Sequence, residues 1–258
     1  MSGSSGLAGP RPALAATREV AVLLILAAGA WVATIALAHG MAGMTGTMGL
    51  GLALFVPVWA LMMAAMMLPS VAPTASLYAR TVQSNRAARI TGLVVGYLAV
   101  WAAAGVPAFG LAWLTGWVTG NHPSAAHIVA VAVFAAVGIY QLSSLKDRCL
   151  AHCRSPLGLL LHYGSYRGRS RDLRVGVHHG GYCLGCCWGL MLILIAVGVT
   201  NVAVMVGLAA LVLVEKLWRW GPAAGRVAGV AALALAAATI WFPWLAPGLH
   251  AAPPMMMG

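Results

Sequence analysis

Long apolar stretches alternate with short polar or charged segments along most of the chain. Seven of these stretches are about long enough to cross the hydrocarbon core of a bilayer, which takes a helix of roughly 17–25 residues. They cover residues 20–38, 50–68, 90–114, 128–145, 183–199, 202–217 and 227–245. Because backbone polar groups in lipid must be satisfied within each segment, the pattern predicts helices. We therefore predict an all-α, polytopic membrane helix bundle of about seven transmembrane helices.

The basic residues predict an orientation for this bundle. All fifteen Lys and Arg lie near alternate ends of the stretches: before the first, after the second, after the fourth, and between the sixth and the seventh. The remaining gaps and the C-terminal segment contain none. Basic loops stay on the cytoplasmic side of a membrane. The N-terminus is therefore predicted to be cytoplasmic and the C-terminus to lie outside.

Composition excludes a soluble domain and gives no sign of a nucleic-acid partner. Hydrophobic residues make up 62% of the 258 residues and charged residues only 7%, which is far from the composition of a soluble globular protein. The net charge of +11 is explained by basic loops that contact anionic lipid headgroups. We predict a flexible N-terminal segment (1–18), a single transmembrane helical domain (19–246) and a Met-rich tail (247–258).

Residues that can bind a soft metal differ between the two predicted sides. On the outer side, the first loop carries His39, Met41 and Met44, and the tail carries His250 and Met255–Met257. On the inner side lie all five cysteines and four histidines. Thioethers bind Cu(I) where a thiol would be lost to a disulfide, whereas thiolates are the stronger ligands in a reducing compartment. The distribution favours copper handling on both sides of a membrane, although methionine is also a common core residue.

The segment from His178 to Trp188 is the clearest candidate for a metal site. At about 100° per residue of helix, its three cysteines and Met191 fall within one arc of roughly 140°. Three cysteines so close together, directly after paired histidines, favour a metal site, and cysteine as a small buried hydrophobe is the alternative. The candidate ligands of this segment are Cys183, Cys186, Cys187, Met191, His178 and His179.

Two further pairs of sulfur residues are candidates on the same side. Met62 and Met66 share one face of the second stretch at a depth similar to Cys183, where they could pass Cu(I) to the thiolates or simply pack in the core. Cys149 and Cys153 share a face if their segment is helical. That segment is compatible with metal ligation and with a plain loop. The odd number of cysteines on a reducing side argues against structural disulfides.

Two stripes of glycine predict close helix contacts. Small residues spaced four apart let another helix approach closely, either from the same chain or from a partner subunit. The first stripe lies on the face opposite the cysteines of the fifth stretch. The stripes are Gly181, Gly185 and Gly189, and Gly221, Gly225 and Gly229.

Glu215 is the acidic residue nearest to the predicted hydrocarbon boundary. Charged residues at such depth are functional candidates by default. Here Lys216 is its neighbour in the sequence, and Arg219 follows four positions after the glutamate. We therefore expect Glu215 to form a structural ion pair with these basic residues.

The motifs occur together in an order typical of one bacterial family. They are the Met-rich run 62–69, the Cys segment 149–156, the His-Cys segment 179–188, Asn201, and Glu215 with Lys216. From about residue 50 to 216 the chain resembles the bacterial "predicted metal-binding integral membrane protein" family, a domain of unknown function. The resemblance implies a multi-pass, metal-binding protein of the bacterial inner (cytoplasmic) membrane. Thr200 departs from the family, which often has methionine there.

We predict a protein that binds Cu(I) through Cys, His and Met for uptake, transfer or delivery. Zinc is the alternative metal, since Cys and His also suit it. Expected partners are the lipid bilayer, the metal ion, and a metallochaperone or other membrane subunits. The alternative function is an accessory or assembly subunit of a larger complex, such as a copper-dependent oxidase or monooxygenase. An enzyme is not expected, because vicinal cysteines form a disulfide poorly and no haem-attachment motif is present.

Overall fold

The computed structural model describes residues 13–41, 44, 46–82, 84–246 and 249. Within them the secondary structure is helical, which confirms the predicted all-α class. The α-helices are α1 (Ala13–Gly40), α2 (Leu52–Thr81), α3 (Arg86–Asn121), α4 (Pro123–Gln141), α5 (Ser144–Arg154), α6 (Pro156–Tyr163), α7 (Arg171–Val197), α8 (Val202–Leu217) and α9 (Gly221–Trp241). Residues 1–12, His250 and Met255–Met257 lie outside the described residues, whereas residues 13–18 of the expected flexible segment belong to α1.

Five of the described helices are long and apolar enough to cross a membrane, namely α1 from Arg18, α2, α3, α7 and α9. The number rises to six if α4 and α5, which meet at an angle of 59°, count as one broken span. The sixth predicted stretch, 202–217, coincides with α8, a helix of 16 residues. The fold is compatible with a membrane protein, while the count of seven spans and the sides of the termini remain predictions.

Helix boundaries differ from the predicted stretches mainly on the basic side. Helix α2 continues through Pro69 and Pro73 to Thr81, well beyond the apolar stretch 50–68. Helix α7 begins at Arg171, so part of the basic segment that precedes the cysteines is helical. Hydropathy marks only the apolar part of a helix, and polar ends that continue the same hydrogen-bond ladder are not visible to it.

The fourth predicted stretch, 128–145, is broken where α4 ends and α5 begins. Ser143 stops the first helix and starts the second, because its hydroxyl accepts a hydrogen bond from Lys146 N at 3.3 Å as an N-cap. Helix α5 then carries Cys149 and Cys153. The segment is therefore a helix and not a plain loop.

Helices α3 and α7 approach each other most closely through glycines. A Cβ atom at Gly176 would lie 2.8 Å from Tyr97 N and would overlap Leu93 O. At Gly96 the same addition would overlap Leu173 O on α7. The contact between the two helices therefore requires glycine on both sides.

The predicted glycine stripe of α7 has a smaller role than expected. A Cβ atom at Gly181 would meet no atom of the described residues within 4 Å. At Gly185 and Gly189 it would come within 3.0 Å of Cys149 Sγ and 3.1 Å of the Tyr140 ring, respectively. Helices α4 and α5 thus pack against this stripe. The tightest approach of another helix to α7 is that of α3 at Gly176.

The second stripe, on α9, packs inside the chain. Gly221, Gly225 and Gly229 face backbone or side-chain atoms of Glu215 and Gln141 in α8 and α4. A partner subunit is not needed to explain these glycines. The observation that suggested an accessory subunit therefore has an intrachain explanation.

A buried ion pair joins α5 to α8. Lys146 Nζ lies 2.7 Å from Glu215 Oε1, and both side chains are 1% exposed. The Gln141 amide donates a hydrogen bond of 3.0 Å to the same oxygen. An ion pair was expected at Glu215, but the expected partners Lys216 and Arg219 were wrong. Adjacent helical residues point about 100° apart, and the bend before α5 brings Lys146 close instead.

Candidate metal centre

Three cysteines of α7 and one of α5 form a continuous group of sulfur atoms. Cys183, Cys186 and Cys187 are all fully buried. The Sγ atoms of Cys186 and Cys187 are 3.3 Å apart, and Cys186 Sγ lies 3.9 Å from Cys153 Sγ. All the cysteines are free thiols. We call Cys153, Cys183, Cys186 and Cys187 the thiol cluster.

The spacing within the thiol cluster suits a soft metal ion. A thiolate–metal bond is about 2.3 Å long for zinc, so two sulfurs bound to one such ion lie at most about 4.6 Å apart. Both measured sulfur–sulfur distances, 3.3 and 3.9 Å, are shorter than this limit. Each pair is therefore close enough to share one ion.

The thiol cluster is a series of close pairs, and its sulfurs are not arranged around a single metal position. Among the described residues, no group of three or more His, Cys, Asp or Glu side chains is arranged to hold a metal ion. Cys149 Sγ packs against Gly185 and belongs to neither of the close sulfur pairs. Of the two predicted cysteines of α5, the structure brings only Cys153 into contact with the sulfurs of α7.

A buried lysine lies against the thiol cluster. Lys216 Nζ donates to Cys183 Sγ at 2.8 Å and to Ser70 Oγ at 3.2 Å. The Tyr97 hydroxyl is 2.9 Å from the same sulfur. A buried ammonium group is strongly unfavourable unless a negative group compensates it, so this contact favours Cys183 as a thiolate.

Sequence reasoning missed this role of Lys216 and missed Tyr97. The lysine had been assigned to Glu215, which uses Lys146 instead. A signal did exist in the sequence: α8 ends with one acidic and one basic residue at membrane depth, and their sequential adjacency prevents them from sharing a helix face. Each therefore needs a partner on another helix.

Histidines and tyrosines surround the side of the thiol cluster that faces α6. The rings of His178 and His162 stack with centroids 4.9 Å apart, and His152 lies 5.6 Å from His178. The Tyr163 hydroxyl is 3.1 Å from His178 Nδ1. Burial raises the pKa of the Tyr163 phenol, so this group stays protonated and orients the imidazole. The arrangement brings three imidazoles together beside Tyr163.

Two imidazole nitrogens near the thiol cluster have no hydrogen-bond partner among the described residues. They are His179 Nδ1 and His152 Nε2, both buried. The His179 ring stacks on Tyr97, with centroids 5.9 Å apart. Buried polar atoms are nearly always satisfied by protein, water or an ion. These two nitrogens are therefore free to bind a ligand next to the sulfurs.

The candidate methionines and the outer histidine occupy separate places. Met62, Met66 and Met191 are buried in the main hydrophobic core, which also contains the three α7 cysteines of the thiol cluster. Met62 and Met41 line a different cavity, towards the opposite end of the bundle. His39 is exposed and Met44 is 49% exposed. Met44 N donates a hydrogen bond of 3.2 Å to Met41 O, and the ligand set His39, Met41 and Met44 stays a prediction.

One known family matches most of the chain. The model of the PpoB2 copper chaperone family matches residues 56–239. The chain belongs to the PpoB2 copper chaperone family. No curated protein and no solved structure matches it. Membership of the PpoB2 family supports a copper-related role, as expected from the sulfur and imidazole residues, while the resemblance to the "predicted metal-binding integral membrane protein" family stays a prediction. The matched residues include every cysteine and Lys216.

Proposed function

We propose that this member of the PpoB2 family is an integral membrane copper chaperone that carries Cu(I) on its thiol cluster. The proposal depends on one observation, the chain of close sulfur atoms from Cys153 through Cys186 to Cys187. Thiolates select Cu(I) over harder ions, and a reducing cytoplasm keeps them available. The protein is then a carrier and not an enzyme, with about seven spans, a cytoplasmic N-terminus and an outer C-terminus.

The charge of the thiol cluster supports binding of a monovalent ion. Cu(I) bound by two thiolates carries a net charge of −1, which is costly in a buried site. When Cys183 is one of the two thiolates, the ammonium group of Lys216, 2.8 Å from its Sγ, neutralises that charge. Each thiol that binds the ion releases its proton, and the oxidation state of copper does not change.

The histidine group supports a route by which copper reaches the buried sulfurs. His162 is exposed and His178 is half-buried, so both are accessible from the basic side of the bundle. Cys153 is also half-buried and adjoins buried Cys186. Copper passes along such a series by ligand exchange, in which an incoming donor binds before the outgoing one leaves. The ion is then never free in the apolar interior.

Copper analysis of protein purified without oxygen tests the proposal. Replacing Cys186 and Cys187 together by serine is expected to remove copper from the thiol cluster, because both close sulfur pairs are lost. Removal of a ligand should weaken binding by more than the roughly 10–100-fold that loss of an outer-shell partner costs. Cys149→Ser is the matched control, since this thiol packs on Gly185 and belongs to neither of the two close sulfur pairs.

Copper content and affinity that are unchanged in the double serine variant would contradict the proposal. Loss of copper in Cys149→Ser as well would point to a change in folding, so both variants are compared by gel filtration in detergent. Competition with a chromophoric Cu(I) chelator measures the affinity. Equal zinc binding by the wild type would favour the alternative metal.

Substitution of Lys216 separates its charge from its packing. Lys216→Met removes the ammonium group next to Cys183 and is expected to lower Cu(I) affinity about 10–100-fold, as for outer-shell partners in general. Lys216→Arg keeps the charge and should lose much less. Chelator competition on the two variants measures the difference. Equal affinities would show that the charge of Lys216 does not act on the bound ion.

A further inference from the structure

A second group of sulfur residues surrounds a small cavity at the other end of the bundle. Four of the nine residues that line the cavity are methionines, and they come from four parts of the chain. Met41 follows α1, Met48 precedes α2, Met62 lies in α2 and Met205 lies in the first turn of α8. We call the cavity that these four methionines line the thioether cavity.

The thioether cavity is well separated from the thiol cluster. Met205 and Lys216 lie eleven positions apart on α8 (216 − 205 = 11), which corresponds to about 16 Å along the helix axis. Lys216 contacts Cys183, whereas Met205 lines the cavity beside Thr200. The two groups of sulfur therefore lie at different depths of the same bundle.

The size of the thioether cavity suits a single small guest. Its volume is about 10 Å³, and one water molecule needs roughly 10–15 Å³ by the same measure. Met48 and Met62 are each 3% exposed and Met205 is fully buried. Met41 is half-buried, so a species bound here would be held among mostly buried side chains.

A buried hydroxyl group in the thioether cavity lacks a partner. Thr34 lines the cavity and is 3% exposed. Its Oγ1 forms no hydrogen bond to any described residue. Threonine in a helix usually bonds to a carbonyl of the preceding turn, as Thr115 and Thr119 do here. The free hydroxyl group of Thr34 therefore indicates a polar or charged guest.

The backbone at Met48 is held in a conformation that methionine seldom adopts. Its φ is 58°, in the left-handed region that favours glycine. Gly46 and Gly49 on either side have φ values of 65° and 70°. Such strain at a non-glycine residue is typical of functional sites. Here it holds a thioether side chain at the cavity.

We propose that the thioether cavity is a second Cu(I) site, formed by Met41, Met48, Met62 and Met205 with the hydroxyl group of Thr34. Thioethers are soft ligands that bind Cu(I). They carry no proton to release and form no disulfide, so the site binds copper in acid and in oxidising surroundings. The identity of the ion rests on the copper chaperone function proposed above. The evidence for a site is the cavity, the unpartnered hydroxyl group of Thr34 and the strained backbone of Met48.

The test uses Cu(I) titration of the full chain in detergent without oxygen. Met62→Leu combined with Met205→Leu removes two thioethers at nearly constant volume. The matched control is Met63→Leu combined with Met67→Leu, two fully buried methionines of the same helix α2 that do not line the cavity. The expected result is loss of one Cu(I) equivalent in the first variant only. X-ray absorption spectra recorded at the copper edge of the wild type should show thioether ligands in addition to thiolates.

Acid distinguishes this site from the thiol cluster. Thiol ligands must release protons to bind copper, so their affinity falls at low pH, whereas thioether affinity does not. The equivalent that survives at low pH should be absent from Met62→Leu with Met205→Leu and present in Cys186→Ser with Cys187→Ser. Identical stoichiometry and spectra in wild type and the Met62/Met205 variant would overturn the inference and mean that the cavity holds only water. That result would leave the proposal of copper binding at the thiol cluster unchanged.

Discussion

Replacing Gly176 by alanine is expected to destabilise the protein by about 3 kcal/mol or more, the upper range for overpacking a tightly packed site. The added methyl group would overlap Leu93 O and approach Tyr97 N to 2.8 Å. These are backbone atoms of α3 and cannot move aside alone. Helices α3 and α7 would have to separate, and the thiol cluster would lose its contact with Tyr97. Thermal unfolding in mild detergent measures the effect.

Gly181→Ala is the matched control for this prediction. It lies on the same helix, and its new methyl group would meet no atom of the described residues within 4 Å. Alanine is a better helix former than glycine, so a small gain of roughly 0.5–1 kcal/mol is expected. The two substitutions thus differ in sign. Equal effects at both positions would refute the close packing of α3 on α7.

Replacing Glu215 by glutamine is expected to destabilise the protein by about 3–5 kcal/mol, because it leaves a buried cation without its counter-charge. Lys146 is 1% exposed and lies 2.7 Å from the carboxylate, so its ammonium group has no access to water. The thermal midpoint in detergent and the yield of monodisperse protein measure the loss. The variant with both residues replaced by methionine should recover most of it, since well-packed apolar residues can replace a buried pair.

The exposed ion pair between Arg226 and Asp147 provides the comparison. Its atoms are 3.8 Å apart, and the side chains are 67% and 46% exposed. Asp147→Asn should change stability by about 0–1 kcal/mol, as for exposed pairs in general. Asp147 and Lys146 are neighbours on α5, so both ion pairs involve the same helix and differ mainly in burial. A cost for Glu215→Gln as small as that for Asp147→Asn would contradict the burial of the first pair.

Local periodicity was sufficient to predict which residues of α7 share a face. The cysteines at 183, 186 and 187 do point inwards together, because their relative directions depend only on the helical repeat. The same argument predicted that Cys149 and Cys153 share a face of a helix. It could not show that Cys153 approaches Cys186 while Cys149 packs on Gly185. That difference depends on the 59° bend between α4 and α5.

Partners across helices were the part that sequence reasoning assigned wrongly. Lys216 was paired with its neighbour Glu215 but contacts Cys183. The cavity that Met41 shares with Met62 was not predicted. Adjacent residues of a helix point about 100° apart, and contacts between helices cannot be read from closeness in the sequence.

The sequence by itself determined the helical class, the long apolar helices, the basic ends and the sulfur-bearing face of α7. These features are local, since composition and a repeat of 3.6 residues require no knowledge of neighbouring helices. The tertiary structure alone decided that Lys216 compensates Cys183, that Cys153 extends the thiol cluster, and that four distant methionines meet at one cavity. Such contacts depend on which helices pack together and at what angle, which is set by the glycine contacts and bends of the whole bundle.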